Sequence, residues 1–174
     1  MASPGPFRAS YWVLENQLLA GPYPGASDDE EARERLGRLL DAGVRVFVDL
    51  TERGELLPYD AVLKEQAAAR GIQVEHVRAP IQDLGVPTEQ ELARTLARID
   101  EALQAGTPVY VHCWGGIGRT GTVIGCWLSQ QGYASKAALD RLAELRDGCD
   151  PYRRFSPETG AQREMVRRWK RAES

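Results

Sequence analysis

The chain has 174 residues, a formal net charge of −3 and 43% hydrophobic residues, which suits one domain around one sizeable core. This balance, with a pI near 5.5, gives no general attraction to nucleic acid or to an anionic membrane, so neither is expected as a partner and any anion must be bound by local structure. Three cysteines without metal-ligand spacing and two histidines suggest neither a disulfide framework nor a zinc site, so no metal or cofactor is expected; without a signal-like or membrane-length apolar run, the expected location is cytoplasmic.

Residues 1–9 are rich in Pro and Gly and are expected to be flexible. Tyr11 to Leu14 and Gln17 to Ala20 read as two short strands around a polar turn at Glu15-Asn16. Ser27-Asp28-Asp29-Glu30 has capping-box spacing, and Leu36, Leu39 and Leu40 share the face of the helix that follows, which ends at Gly43. Val44 to Leu50 is a buried strand by its apolar run. A helix is expected over Pro58 to Arg70, then an alternating strand over Ile72 to Ala79 and a Pro-bounded loop over Pro80 to Pro87. Thr88 and Glu91 make a second capping box, and their helix reaches Ala105 with Gly106 as its C-cap.

Pro108 to His112 is a short apolar strand that delivers the chain to Cys113. Beyond Arg119 the pattern is helical: Thr120 to Gln131, Ser135 to Arg146, and a last helix capped by Ser156 with Pro157 at its first position, running to about Lys170. Strand and helix alternate upstream without repeats or linkers. The expected fold is a single α/β domain, 1–174, with a mostly parallel central sheet flanked by helices.

A strand, a glycine-rich loop and a helix in succession favour anions, because converging backbone N–H groups meet the positive end of the helix dipole. In Cys113-Trp114-Gly115-Gly116-Ile117-Gly118-Arg119-Thr120 the three glycines are expected to let the backbone fold inward through positive φ. The nucleotide-binding loop G-x-x-x-x-G-K-[ST] is excluded, since its lysine is missing and a cysteine opens the turn. Arg119 offers a planar, permanently charged fork for two phosphoryl oxygens. Cys113 sits where aligned amides, the helix end and Arg119 favour thiolate over thiol. Thr120 can donate its hydroxyl to that sulfur, and His112 can orient the loop through its ring nitrogens. Taken alone, Cys113 would read as a small buried apolar residue; the arginine and threonine at this spacing change that reading.

The run HCWGGIGRTG resembles the C-x5-R-[ST] signature of protein tyrosine and dual-specificity phosphatases. Two upstream segments, Thr51 to Leu56 and Ala79 to Pro87, resemble matching segments of the kinase-associated phosphatases, the cyclin-dependent kinase inhibitor 3 subgroup. The resemblance spans roughly the middle two-thirds of the chain. It implies a tyrosine-phosphatase-like fold of the dual-specificity type and a phosphoric monoester hydrolase that works through a cysteinyl-phosphate intermediate.

Expulsion of an alkoxide or phenoxide requires an acid opposite the nucleophile. Asp83, in the Pro80–Pro87 loop, matches the family's general-acid position, and the resemblance implies that it later deprotonates the hydrolytic water. An Asp in such a loop is otherwise a turn residue. Asp49 and Asp60 are its rivals, one in a buried strand and one in a helix. Gln162 matches a glutamine that positions water in some tyrosine phosphatases, or is simply a polar residue of the terminal helix.

Trp114 either lines the pocket rim or packs the loop. Trp12, Trp127 and Trp169, together with Cys126, read as packing residues, and His76 as part of a strand. The basic run Arg153, Arg154, Arg163, Arg167, Arg168, Lys170 and Arg171 reads as solvated surface or a docking patch.

The expected substrate is a phosphorylated protein, with phosphate-like anions bound in the loop. The alternatives are a phosphoinositide, nucleotide or RNA 5′-phosphate substrate, or a module that binds phosphoproteins without turnover. No Lys or Arg lies within Trp114–Gly118, which favours protein over lipid. A rhodanese or arsenate reductase fits the Arg119-Thr120-Gly121 ending less well.

Overall fold

The structure, a computed structural model, describes residues 3–152 and 154–170; Arg153 and Arg171 of the basic run lie outside the described residues. Strands β1 (Tyr11–Leu14) and β2 (Leu18–Gly21) pair antiparallel across a turn in which Asn16 takes φ +59, a conformation that Asn tolerates better than most residues. Ahead of the hairpin, the Trp12 N–H donates to the Ser3 carbonyl at 2.8 Å and the Gly5 N–H to Ser10 at 2.9 Å, laying residues 3–9 against β1.

The middle of the chain alternates as α1 (Asp29–Asp41), β3 (Val46–Asp49), α2 (Asp60–Ala69), β4 (Glu75–Arg78), α3 (Glu89–Gln104) and β5 (Val109–His112). Helices α4 (Arg119–Gln130), α5 (Lys136–Arg146) and α6 (Gly160–Arg168) complete it. The sheet runs β1-β2-β5-β3-β4 and is parallel except at the hairpin. No helix of the described residues is long and apolar enough to cross a membrane.

Burial on both faces explains the continuous apolar runs of the central strands. Val46 and Val48 of β3 and Val109 and Val111 of β5 point into a core shared with Leu92, Leu96, Ile99, Val123 and Ile124. Phe47 and Tyr110 point the opposite way, onto Leu36, Leu39, Leu40 and Leu63 of α1 and α2. The period of two along each strand thus assigns alternate residues to two cores.

Two helix starts differ from the expectation. Asp28, not Ser27, caps α1, its carboxylate accepting from the Glu31 N–H at 2.8 Å; a carboxylate there also meets the positive helix end, which a hydroxyl cannot match. The last helix starts at Gly160, with Thr159 and Gln162 forming its capping box. The Ser156 hydroxyl instead donates to the Ile117 carbonyl at 2.6 Å, and the Ser156-Pro157 peptide bond is cis. The Thr159 box satisfies the open N–H groups of the first turn, the job expected of Ser156.

The parallel register sets Gly21 and Asp49 beside His112, and Arg78 beside Asp49. The carboxyl ends of four strands therefore lie along one edge of the sheet. Their following segments, at Pro22, Thr51 to Glu55, Pro80 to Pro87 and Cys113, emerge together there, the edge where α/β sheets hold their ligands.

Candidate active site

Cys113 follows β5 directly and is 3% exposed, the floor of a loop closed by the start of α4. The Gly116 N–H points back at its sulfur, 3.3 Å away. Among the three loop glycines only Gly116 takes a positive φ, +73, so the expected reason for glycine holds there and not at Gly115 or Gly118. A Cβ at Gly116 would also lie 2.4 Å from the Gly21 backbone; the loop closes against the end of β2, where the Tyr23 N–H donates to Trp114 at 2.9 Å. Gly118 is small for another reason, since its missing Cβ would meet the Gln162 amide at 3.0 Å. Gly118 caps α4 without a side-chain hydrogen bond, which leaves first-turn N–H groups facing the cleft.

Arg119 is 2% exposed, and its fork is held on three sides. Glu55 accepts from both terminal nitrogens, at 2.8 and 2.6 Å, and the Ile81 carbonyl accepts from Nη1 at 3.0 Å. Asp83 approaches Nη2 at 3.3 Å. Burial opposes the charge on Arg119, but Glu55, Cys113 and Asp83 together outweigh it and hold the guanidinium above its ordinary pKa. The hydrogen bond from Arg119 in turn holds the Glu55 carboxyl below the usual range. Glu55 was not singled out from the sequence, although it lies in one of the two upstream segments that carried the resemblance. The signal available was the arginine itself: a cation sealed in a loop with no nearby carboxylate in sequence needs one from elsewhere.

Asp83 lies at the cleft mouth, its side chain 55% exposed. Its carboxylate accepts from the Leu84 N–H at 3.0 Å, and Leu84 takes φ +64, so the loop turns sharply where it presents the carboxylate. Of the rivals, Asp49 is buried at 2% and committed to Thr51 and His76. Asp60 starts α2 and faces the His76 ring at 3.9 Å. Neither lines the cleft, which measures about 100 Å³ and is bounded by Asp83, Leu84, Cys113, Trp114, Arg119 and Glu158 among others.

Beneath the loop, His112 is fully buried; Nδ1 lies 3.1 Å from the Cys113 carbonyl and Nε2 lies 2.6 Å from the Tyr59 hydroxyl. A carbonyl can only accept, so Nδ1 carries the proton and Nε2 accepts from Tyr59. Burial pushes His112 down to about 4 and raises the Tyr59 phenol well above its ordinary value, so both stay neutral. Burial works against the Asp49 carboxylate too, but bonds from His76 and Thr51 win and hold it far below the carboxylate range. The His112 ring thus contacts the first peptide of the loop, and His76 belongs to this network as well as to β4.

The remaining candidates divide. Thr120 is buried, but its hydroxyl has no hydrogen-bond partner, so the expected bond to Cys113 is not formed here. Gln162 is buried with its side-chain oxygen and nitrogen both engaged: Oε1 accepts from the Glu158 and Thr159 N–H groups at 3.1 Å, and Nε2 donates to Gly85 at 3.1 Å. It ties the Asp83 loop to α6 rather than facing the cleft with a free amide. Trp114 is 63% exposed at the rim. Cys126 is buried in α4, where burial pushes its thiol up to about 12, in keeping with packing. Among the described residues no three His, Cys, Asp or Glu side chains converge to where they could hold a metal ion.

A family model described as Tc-R-P, polymorphic toxin system, DSP-PTPase phosphatase, matches residues 24–133, which include the strands and loops of the cleft. The chain belongs to this DSP-PTPase family. Among curated relatives, protein 067L of Invertebrate iridescent virus 3, which carries a tyrosine phosphatase name, is 34% identical over 70% of this chain and 46% of its own. Cyclin-dependent kinase inhibitor 3 of Sus scrofa is 32% identical over 62% of this chain and 51% of its own. The chain spans about half the length of these relatives. A solved structure of Tk-PTP in its active form is 25% identical, with a TM-score of 0.65 over 88% of this chain and 91% of that one. Kinase-associated phosphatase, at 22% identity and a TM-score of 0.69 over 86% and 83%, shares the fold. The expected resemblance and fold are both present.

Proposed function

We propose that the chain hydrolyses phosphomonoesters on protein side chains. The observation that carries this reading is one small cleft in which a buried cysteine, a sealed guanidinium and an exposed carboxylate converge from β5, α4 and the loop after β4. The Cys113 thiolate attacks phosphorus, and the bond to the ester oxygen breaks as Asp83 gives that oxygen its proton. Water then attacks the phosphocysteine, Asp83 takes the water's proton, the S–P bond breaks, and phosphate leaves. Arg119, held in orientation by Glu55, and the open amides of the loop stabilise the equatorial oxygens in both steps. His112 fixes the carbonyl of Cys113 and with it the start of the loop. Thr120, buried at the start of α4 with its hydroxyl uncommitted, is the group proposed to donate to the sulfur as it departs.

The family match supports the dual-specificity reading, phosphotyrosine with phosphoserine and phosphothreonine. Steady release of p-nitrophenol from p-nitrophenyl phosphate in EDTA is the expected result. Cys113→Ser should abolish it, and Asp83→Asn should slow phosphate release from alkyl phosphates by about 10²–10⁴-fold, the usual worth of a positioned acid. Full turnover in Cys113→Ser would sink the proposal.

A further inference from the structure

Beside the cleft lies a larger concavity of about 480 Å³, and Trp114, Gly115 and Arg154 line both. The groove therefore adjoins the cleft and offers a place for residues that flank a phosphorylated side chain. The charge of this groove differs from that of the chain. Glu31 and Glu34 in its wall are already engaged by Arg35 and Arg38, each at 2.6 Å. Asp150 is shared between Arg146 at 3.2 Å and Arg154 at 3.4 Å, so one carboxylate serves two guanidiniums. Arg8 meets no carboxylate within ion-pair distance among the described residues.

Arg8 and Arg154 are held in place by one aromatic ring. Their guanidiniums lie 5.7 and 5.2 Å from the centroid of Tyr152, whose ring face attracts each and offsets their mutual repulsion. Arg154 also lines the cleft, so this positive charge extends to the border between groove and cleft.

We propose that this groove is a specificity subsite for an acidic side chain flanking the phosphorylated residue of a protein substrate, read by Arg8 and Arg154. The inference rests on the reading of the cleft as a protein phosphatase site. Its test uses synthetic phosphotyrosine peptides with alanine elsewhere and a single Glu or Lys at each of the three positions on either side. The expected result is a kcat/KM about tenfold higher for Glu than for Lys at one or more positions, the size two exposed charges provide. That ratio should fall to about one in an Arg8→Ala, Arg154→Ala double variant and invert in Arg154→Glu. Because the ratio is taken within each variant, losses of folding or chemistry cancel.

An enzyme that turns over p-nitrophenyl phosphate yet treats Glu and Lys peptides alike would overturn the subsite while leaving the cleft intact. A preference that survives in the double variant would do the same, as would faster turnover of phosphatidylinositol phosphate vesicles than of any peptide. Absence of p-nitrophenyl phosphate turnover would overturn the reading of the cleft, and the subsite with it.

Discussion

Arg119 keeps its charge in a position that is 2% exposed, and a guanidinium so placed is tolerated only with partners that satisfy its fork. Glu55 supplies the bidentate half of that satisfaction, and it does so from a loop 64 residues away in sequence. Glu55→Gln keeps the shape but removes the countercharge. It should cost about 2 kcal/mol in urea unfolding, the range for hydrogen bonds to charged groups. It should also lower kcat/KM on an aryl phosphate by about tenfold as the fork loses its orientation. The variant's stability should also be less sensitive to acid. The wild-type carboxyl is held below its ordinary pKa, so its contribution is complete above the unfolded value and is lost as pH falls through the folded one. The nucleophile and its arginine were readable because their chemistry and spacing are local. Glu55 was not, since nothing in its own segment reveals an arginine that reaches it only through the sheet.

Helix α6 shows how an element at the end of the chain acts on a loop in the middle. Its third residue, Gln162, closes the capping box with one end of its amide and holds Gly85 of the Asp83 loop with the other. Two substitutions separate these jobs. Thr159→Ala removes the cap and leaves the tie; Gln162→Ala removes both. Thr159→Ala should cost about 1 kcal/mol of stability, the worth of a helix cap, and Gln162→Ala about 2 kcal/mol, since it also loses a buried hydrogen bond. Only Gln162→Ala should slow turnover of an alkyl phosphate, which needs its proton from Asp83, more than that of an aryl phosphate with a good leaving group. Equal slowing of both substrates by the two variants would reduce Gln162 to a cap.

Elements were legible in the sequence where periodicity and caps agreed, as with Thr88 and Glu91 before α3. Ser156 misleads, because a serine before a proline mimics a helix start. Here its hydroxyl is spent on the cysteine loop, a use visible only once α4 and the segment before α6 are side by side. The parallel sheet was legible from the alternation of strand and helix, which leaves few connected topologies.

For the molecule as a whole, the buried polar layer under the loop governs behaviour in acid. His112 is held neutral, its pKa pushed down to about 4 from an unfolded value of 6.5. Between those values the unfolded chain binds a proton that the folded one refuses, so stability falls as pH falls across this window, by about 3 kcal/mol in full. Asp49 adds to the loss only below the ordinary carboxylate range, since its own carboxyl is depressed. Urea unfolding followed from pH 7 to pH 4 should show the decline, and His112→Gln should flatten it. A wild-type midpoint that holds constant over this range would contradict the buried neutral imidazole. The parallel register has a quieter consequence. The turns at Gly43, Gly71 and Gly106 enter β3, β4 and β5 from the edge opposite Cys113, so an inserted segment there has the full length of the strands between it and the phosphate. The sheet thereby separates the ground on which the chain can vary from the ground on which it reacts.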